Sequence, residues 1–284
     1  MRIVKSFFVF IVDDWQADEI CVAKRRGVCY NQGMKTKLLN FRDMGGLETP
    51  YGKIKCGKIF RTSPFAPKCK ADKEFIENMH LDAVVDFRTP EEVKATPDVL
   101  PDGVEYIEAR VFEADAPGIS STPATTVDIF HFSDEEIVAA RKFVEETYAV
   151  MAYSKAYDKL FELMDEGKTF AFHCTAGKDR TGIGAMLVEL AFGRTFDECL
   201  EGYLESNNHH AKNNRKIAIG LRLMGIRKTL REFVAEVLQT HERLFDIAKK
   251  SILDKYASAQ EFLEAEHGVT PERVERWKQF YIEQ

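Results

Sequence analysis

An α/β fold is the architecture this sequence predicts, on three observations. Short apolar runs that read as buried strands, Ala83–Phe87 and Thr169–Phe172, alternate with segments of helical periodicity. Glycine and proline clusters punctuate the first half of the chain. Beyond Phe192 almost everything carries helical patterning, so strands come early and the C-terminal half is helical. In chain order, Lys58–Thr62 is a strand candidate and residues 71–79 place apolar side chains at helical spacing. After Ala83–Phe87, the run Thr89-Pro90-Glu91-Glu92 stops the strand and starts a helix. Residues 97–103 form a loop, Val104–Ile107 a further strand and residues 113–130 a long loop. Helical patterning covers Ser133 to about Met164, and Thr169–Phe172 is a buried strand. Ile183–Phe192 is apolar nearly all round, as a central buried helix would be, and Gly193 closes it. Thr195 with Glu198 makes a capping box, and Thr270-Pro271-Glu272 starts the last helix.

The 284 residues are 45% hydrophobic and 30% charged, enough for one large core. The net charge of −6 repels nucleic acid and anionic surfaces as a whole, so an anionic substrate has to be drawn in by a local basic pocket. Nucleic acid is therefore excluded as a partner. The six cysteines fall at irregular spacings without zinc-site pairs. Apart from Cys174, they are expected to be free thiols in a reducing compartment: Cys21, Cys29, Cys56, Cys69 and Cys199. Phe7–Val12 follows Arg2 and Lys5 like the start of a signal peptide, but Asp13-Asp14-Trp15 interrupts it and no cleavage site follows. It is too short to span a membrane. It is either an extra strand or sequence upstream of a start at Met34. The expected organisation is an N-terminal extension (1–36) and one domain (37–284), cytoplasmic or secreted by a route not visible in the sequence.

The chemistry is concentrated in His173-Cys-Thr-Ala-Gly-Lys-Asp-Arg-Thr-Gly182. A strand delivers Cys174, six residues lead to Arg180, and a helix starts at once. Backbone N–H groups of Thr175, Ala176, Gly177, Lys178, Asp179 and Arg180 in such a loop converge into an anion nest, and the helix N-terminus adds partial positive charge. Gly177 permits a backbone geometry other residues resist, and Arg180 can fork onto phosphate oxygens. The same field favours thiolate at Cys174. Thr181 can donate its hydroxyl to the sulfur, and His173 orients the loop without acting as a base.

His-Cys-x5-Arg-Thr-Gly resembles the signature of the protein tyrosine phosphatase superfamily. The full loop is similar to that of bacterial tyrosine phosphatases that also accept serine/threonine phosphates or phosphoinositides. The resemblance covers about residues 37–284. It includes Asn40–Gly46, Gly57–Arg61, Val85–Arg88 with Glu91, Tyr203–Asn207 and Phe262-Leu263 with Gly268–Glu272. It implies a central mixed sheet flanked by helices, a helical lid at about 208–250, and a phosphocysteine intermediate on Cys174 with no metal or cofactor. It also implies a phosphoprotein or phosphoinositide as partner. The proton donor is Asp179 unless that residue only braces the loop, with Asp86 as the fallback. Arg42 and Arg61 are expected to be structural. Lys178 beside the arginine resembles lipid phosphatases and points to multiply phosphorylated ligands. Basic residues around Ile217–Ile226, from Lys212 to Arg231, are either a solvated helix face or a lid that could shield the cysteine from oxidation.

Overall fold

The computed structural model describes residue 36, residues 38–113 and residues 131–283. The apolar run Phe7–Val12, Cys21, Cys29 and most of the 113–130 loop lie outside them. A five-stranded sheet has the order β1-β4-β7-β5-β6, built from β1 (Arg42–Asp43), β4 (Ile59–Thr62), β5 (Ala83–Asp86), β6 (Glu105–Glu108) and β7 (Phe170–His173). β1 runs antiparallel to β4 at the edge, and the other four strands are parallel. The sheet is thus mixed, as expected. A small hairpin, β2 (Glu48–Thr49) and β3 (Gly52–Lys53), stands apart.

Alternation along the strands fills two cores. Ile59, Ala83, Val85, Phe170 and Phe172 face the larger one. Their neighbours Phe60, Val84 and Ala171 face the smaller one, under α1 (Lys70–Asn78), with Phe41, Phe65 and Phe75. β4, β5 and β7 are buried at all four positions, which is why they read as continuous apolar runs. Thr89 caps α2 (Pro90–Ala95) in a reciprocal box with Glu92. α5 (Asp179–Ala191) follows β7 and is buried along its whole length.

Ser133–Met164 is not one helical stretch. α3 (Asp134–Met151) ends at Ala152, a short turn at Lys155–Tyr157 is capped by Ser154, and α4 (Asp158–Asp165) follows. Five more helices, α6 (Phe196–Leu204), α7 (Ser206–Leu223), α8 (Lys228–Val237), α9 (Glu242–Leu253) and α10 (Ala259–His267), lead to α11 (Pro271–Tyr281). α9 buries Phe245, Ala248 and Ile252 in the larger core, so the stretch after 242 is packed as core and not as a cover. Cys69, Cys174 and Cys199 are free, whereas Cys56 is disulfide-bonded. That corrects the expectation of a free thiol there. Cys56 lies half-buried on the turn before β4, and irregular spacing along a chain does not report which sulfurs meet in space. No helix among the described residues is long and apolar enough to cross a membrane.

Candidate active site

Register positions the site. Thr62, His173 and Asp86 align across β4, β7 and β5 at the C-terminal edge of the parallel strands. Cys174 therefore leaves the sheet at its centre, where crevices form in such folds, and it is 2% exposed. The loop turns at Gly177, whose φ is +65°. A Cβ there would stand 2.4 Å from the Thr62 carbonyl oxygen, so both the backbone angle and the space demand glycine.

The loop carbonyls are tied outward. Gly177 O accepts from Asn40 Nδ2 at 2.7 Å and from Arg61 Nη2 at 3.0 Å. Ala176 O accepts from His210 Nε2 at 2.9 Å. Holding the C=O groups away turns the opposite edges of the same peptides, the N–H groups, toward the loop's concave side. Burial, then the charge of Lys178, pushes His210 down to about 4. It is neutral at physiological pH, and since a carbonyl can only accept, Nε2 carries the proton. Arg42 likewise serves backbone and neighbours, donating to Gly202 O, Asn40 Oδ1 and Ser206 Oγ.

Arg180 is 1% exposed and pairs in bidentate fashion with Glu92, at 2.6 and 2.8 Å. Glu92 also accepts from Thr175 Oγ1 at 2.5 Å and from the Thr89 amide at 3.0 Å. Burial alone would raise the Glu92 carboxyl, but the Arg180 pair and these donors outweigh it and leave it at about 2. The guanidinium is thereby fixed in one orientation on the first turn of α5. Thr181 Oγ1 is buried without a hydrogen-bond partner among the described residues, a hydroxyl with its donor to spare beside the loop.

Asp179 is 5% exposed. Its Oδ1 accepts from Tyr148 of α3 at 2.5 Å, and Tyr148 also bonds Tyr203 at 2.8 Å. Lys178 Nζ reaches both Asp179 oxygens, at 3.0 and 2.7 Å, and donates to Val237 O at 2.8 Å. Lys178 is therefore engaged under the end of α8. A cavity of about 20 Å³ beside Tyr148, Lys178, Asp179 and Glu236 has room for about one water. Asn207 and Asn214 of α7 bond Thr240 O and Leu238 O. Together these contacts close α7 and α8 over the loop.

His173 and Asp86 lie on the other side of the strand end. His173 Nδ1 is 3.2 Å from Cys174 O, and its ring stacks edge-on against Phe65. Asp86 binds the Arg88 side chain at 2.7–2.9 Å and accepts from Tyr106 at 2.6 Å. Burial raises its carboxyl, but His173, Arg88 and Tyr106 prevail and hold it at about 2. It is a carboxylate at neutral pH and no source of a proton. Asp86, Asp98 and His173 lie close enough to ligate a metal, yet Arg88 already bonds both carboxylates and supplies the cation there.

Reasoning from sequence missed Glu92, Asn40, His210 and Tyr148. Glu92 was legible as a helix cap but not as the partner of Arg180. Because that carboxyl is depressed on folding, the pair's stabilisation is complete above the unfolded value of about 4.5 and is lost as pH falls toward about 2. Glu92→Gln should cost ~3 kcal/mol at neutral pH by leaving the buried Arg180 without its carboxylate. It should also flatten the fall in thermal stability on acidification across that window. Melting curves against pH check both, and an unchanged acid limb would remove Glu92 as the group responsible.

The tyrosine phosphatase family matches residues 35–283 of this chain. A Cupriavidus necator protein named as a tyrosine-protein phosphatase is 28% identical over 233 residues, covering 79% of this chain and 80% of its own length. The triple specificity protein phosphatase PtpB of Mycobacterium tuberculosis is 27% identical over 188 residues, 60% of this chain and 67% of that protein.

Proposed function

The chain belongs to the tyrosine phosphatase family and is a protein-tyrosine phosphatase, and from that premise we propose that Cys174 is its nucleophile. In this reading Cys174 Sγ attacks phosphorus, an S–P bond forms as the ester P–O bond breaks, and the leaving oxygen takes a proton. Water then releases phosphate and restores the thiolate. Arg180 and the amides of residues 175–180 hold the equatorial oxygens through a loose transition state. Asp179 is the proton donor, Thr181 eases departure of the sulfur, and His173, Asn40, Arg61, His210 and Glu92 position the loop and its arginine. One observation carries the reading. The carbonyls of Ala176 and Gly177 are tied outward around a central cysteine, while Arg180 is locked beside it by Glu92.

Phosphotyrosine in proteins is the proposed substrate, in keeping with the family match, with phosphoserine and phosphothreonine accepted in addition. The phosphoinositide alternative rests on the likeness of the whole loop to phosphatases that accept phosphoinositides and on Lys178 as a second phosphate cation. In the closed arrangement that ammonium bonds Asp179 and Val237 O, which supports a reading with a single anion site. A phosphate-release panel of phosphotyrosine, phosphoserine and phosphothreonine peptides against phosphoinositides tests this. Phosphotyrosine peptides should give the highest kcat/KM, and faster release from phosphoinositides would reverse the assignment.

A further inference from the structure

From Ser206 to Arg231 the chain has seven Lys or Arg and no Asp or Glu, in a molecule of net charge −6. Within that stretch the inner face of α7 holds the phosphate loop through His210. Its outer face carries Arg215, Lys216, Ile219, Arg222 and Leu223, all exposed. Successive residues of a helix are rotated by about 100°, so these five occupy one arc of about 120°. Arg227 and Lys228 pair with Asp134 and Glu232, whereas Arg215, Lys216 and Arg222 have no ion-pair partner among the described residues. Leu223 is 82% exposed and Ile219 51%, large apolar groups set between cations rather than under them.

We propose that this outer face of α7 docks on an anionic lipid surface. A bilayer interface suits both halves of the pattern. Acidic headgroups attract the cations, whose long stems reach sideways, while Ile219 and Leu223 enter the boundary of the acyl chains. A nucleic-acid backbone would match the cations but would leave the two aliphatic groups in water. A protein partner would have to present an acidic groove shaped to a convex single helix. The global negative charge does not forbid the contact, because repulsion between exposed charges is screened beyond about 10 Å while the patch meets the surface directly. Docking brings the face opposite the loop-holding side of α7 onto the membrane, so the phosphatase site works close to it. The inference is independent of the substrate reading, since the lipid here is a surface and not the phosphoester hydrolysed.

The test is sedimentation of the full chain with phosphatidylcholine vesicles, with and without phosphatidylserine, at low and raised salt. Binding should require phosphatidylserine and weaken with salt. Arg215→Ala, Lys216→Ala and Arg222→Ala together should lower the partition coefficient roughly 10²-fold, at the usual contribution per basic residue near an anionic surface. Leu223→Asn should lower it roughly 10-fold at unchanged charge. Both variants should keep the wild-type circular dichroism and aryl phosphate turnover, because neither touches the loop. The proposal is overturned if phosphatidylserine vesicles fail to bind at low salt, or if the triple variant binds as the wild type does. It is equally overturned if the triple variant instead abolishes self-association or duplex binding while vesicle binding persists.

Discussion

Asp179→Asn is expected to lose roughly 10²–10⁴-fold in turnover of an alkyl phosphate, and far less with a nitrophenyl phosphate. A poor leaving group needs a proton as the P–O bond breaks, whereas nitrophenolate departs unaided. Asparagine keeps the Oδ1 acceptor that Tyr148 and Lys178 share and gives up only the second Lys178 contact at Oδ2, so the loop should largely stay in place. The other carboxyls near the loop do not compete among the described residues. Burial raises the Asp86 carboxyl, but His173, Arg88 and Tyr106 outweigh it and hold it at about 2, as Arg180 does for the buried Glu92. The rate profile of the variant should lose its fall at high pH, the limb belonging to the missing proton. Equal losses on both substrates, with a profile of unchanged shape, would make Asp179 a brace. The Tyr148–Asp179–Lys178 contacts already provide the framework for that role.

The loop itself was legible because its chemistry needs contiguous residues. Cys174, Gly177, Arg180 and Thr181 stand in register between a buried strand and a buried helix, an order from which local physics alone leads to the proposed anion site. The strands and caps were legible for the same reason. Ala83–Asp86 and Phe170–His173 are fully buried short runs, and Thr89–Glu92 and Thr195–Glu198 cap within one turn. What surrounds the loop was not. Glu92 meets Arg180 across 88 residues, and Asn40 meets Gly177 across 137. Neither leaves a local signal, and Glu92 was already accounted for by its cap. Lys178 illustrates the converse. Its position beside Arg180 points to a second phosphate, and no local signal shows that its ammonium also reaches Asp179 and Val237 O. The expected lid region reached to about residue 250, and α9 was included in it because one amphipathic helix looks the same over a core as over a cleft.

Everything proposed for the reaction depends on a covalent bond between phosphorus and the Cys174 sulfur. Cys174→Ser exchanges a polarisable sulfur for a hydroxyl oxygen, so turnover of an aryl phosphate should fall at least ~10⁴-fold, as when a catalytic nucleophile is removed elsewhere. Phosphate and tungstate binding should persist, since the outward-tied carbonyls and the Arg180–Glu92 pair are untouched. The most direct measurement is acid quench of the wild-type protein during turnover, followed by peptide mass mapping. A gain of one phosphoryl group on the peptide containing Cys174, absent from Cys174→Ser, is the predicted result. A phosphoryl group on any other side chain, or near-normal turnover by Cys174→Ser, would contradict the account.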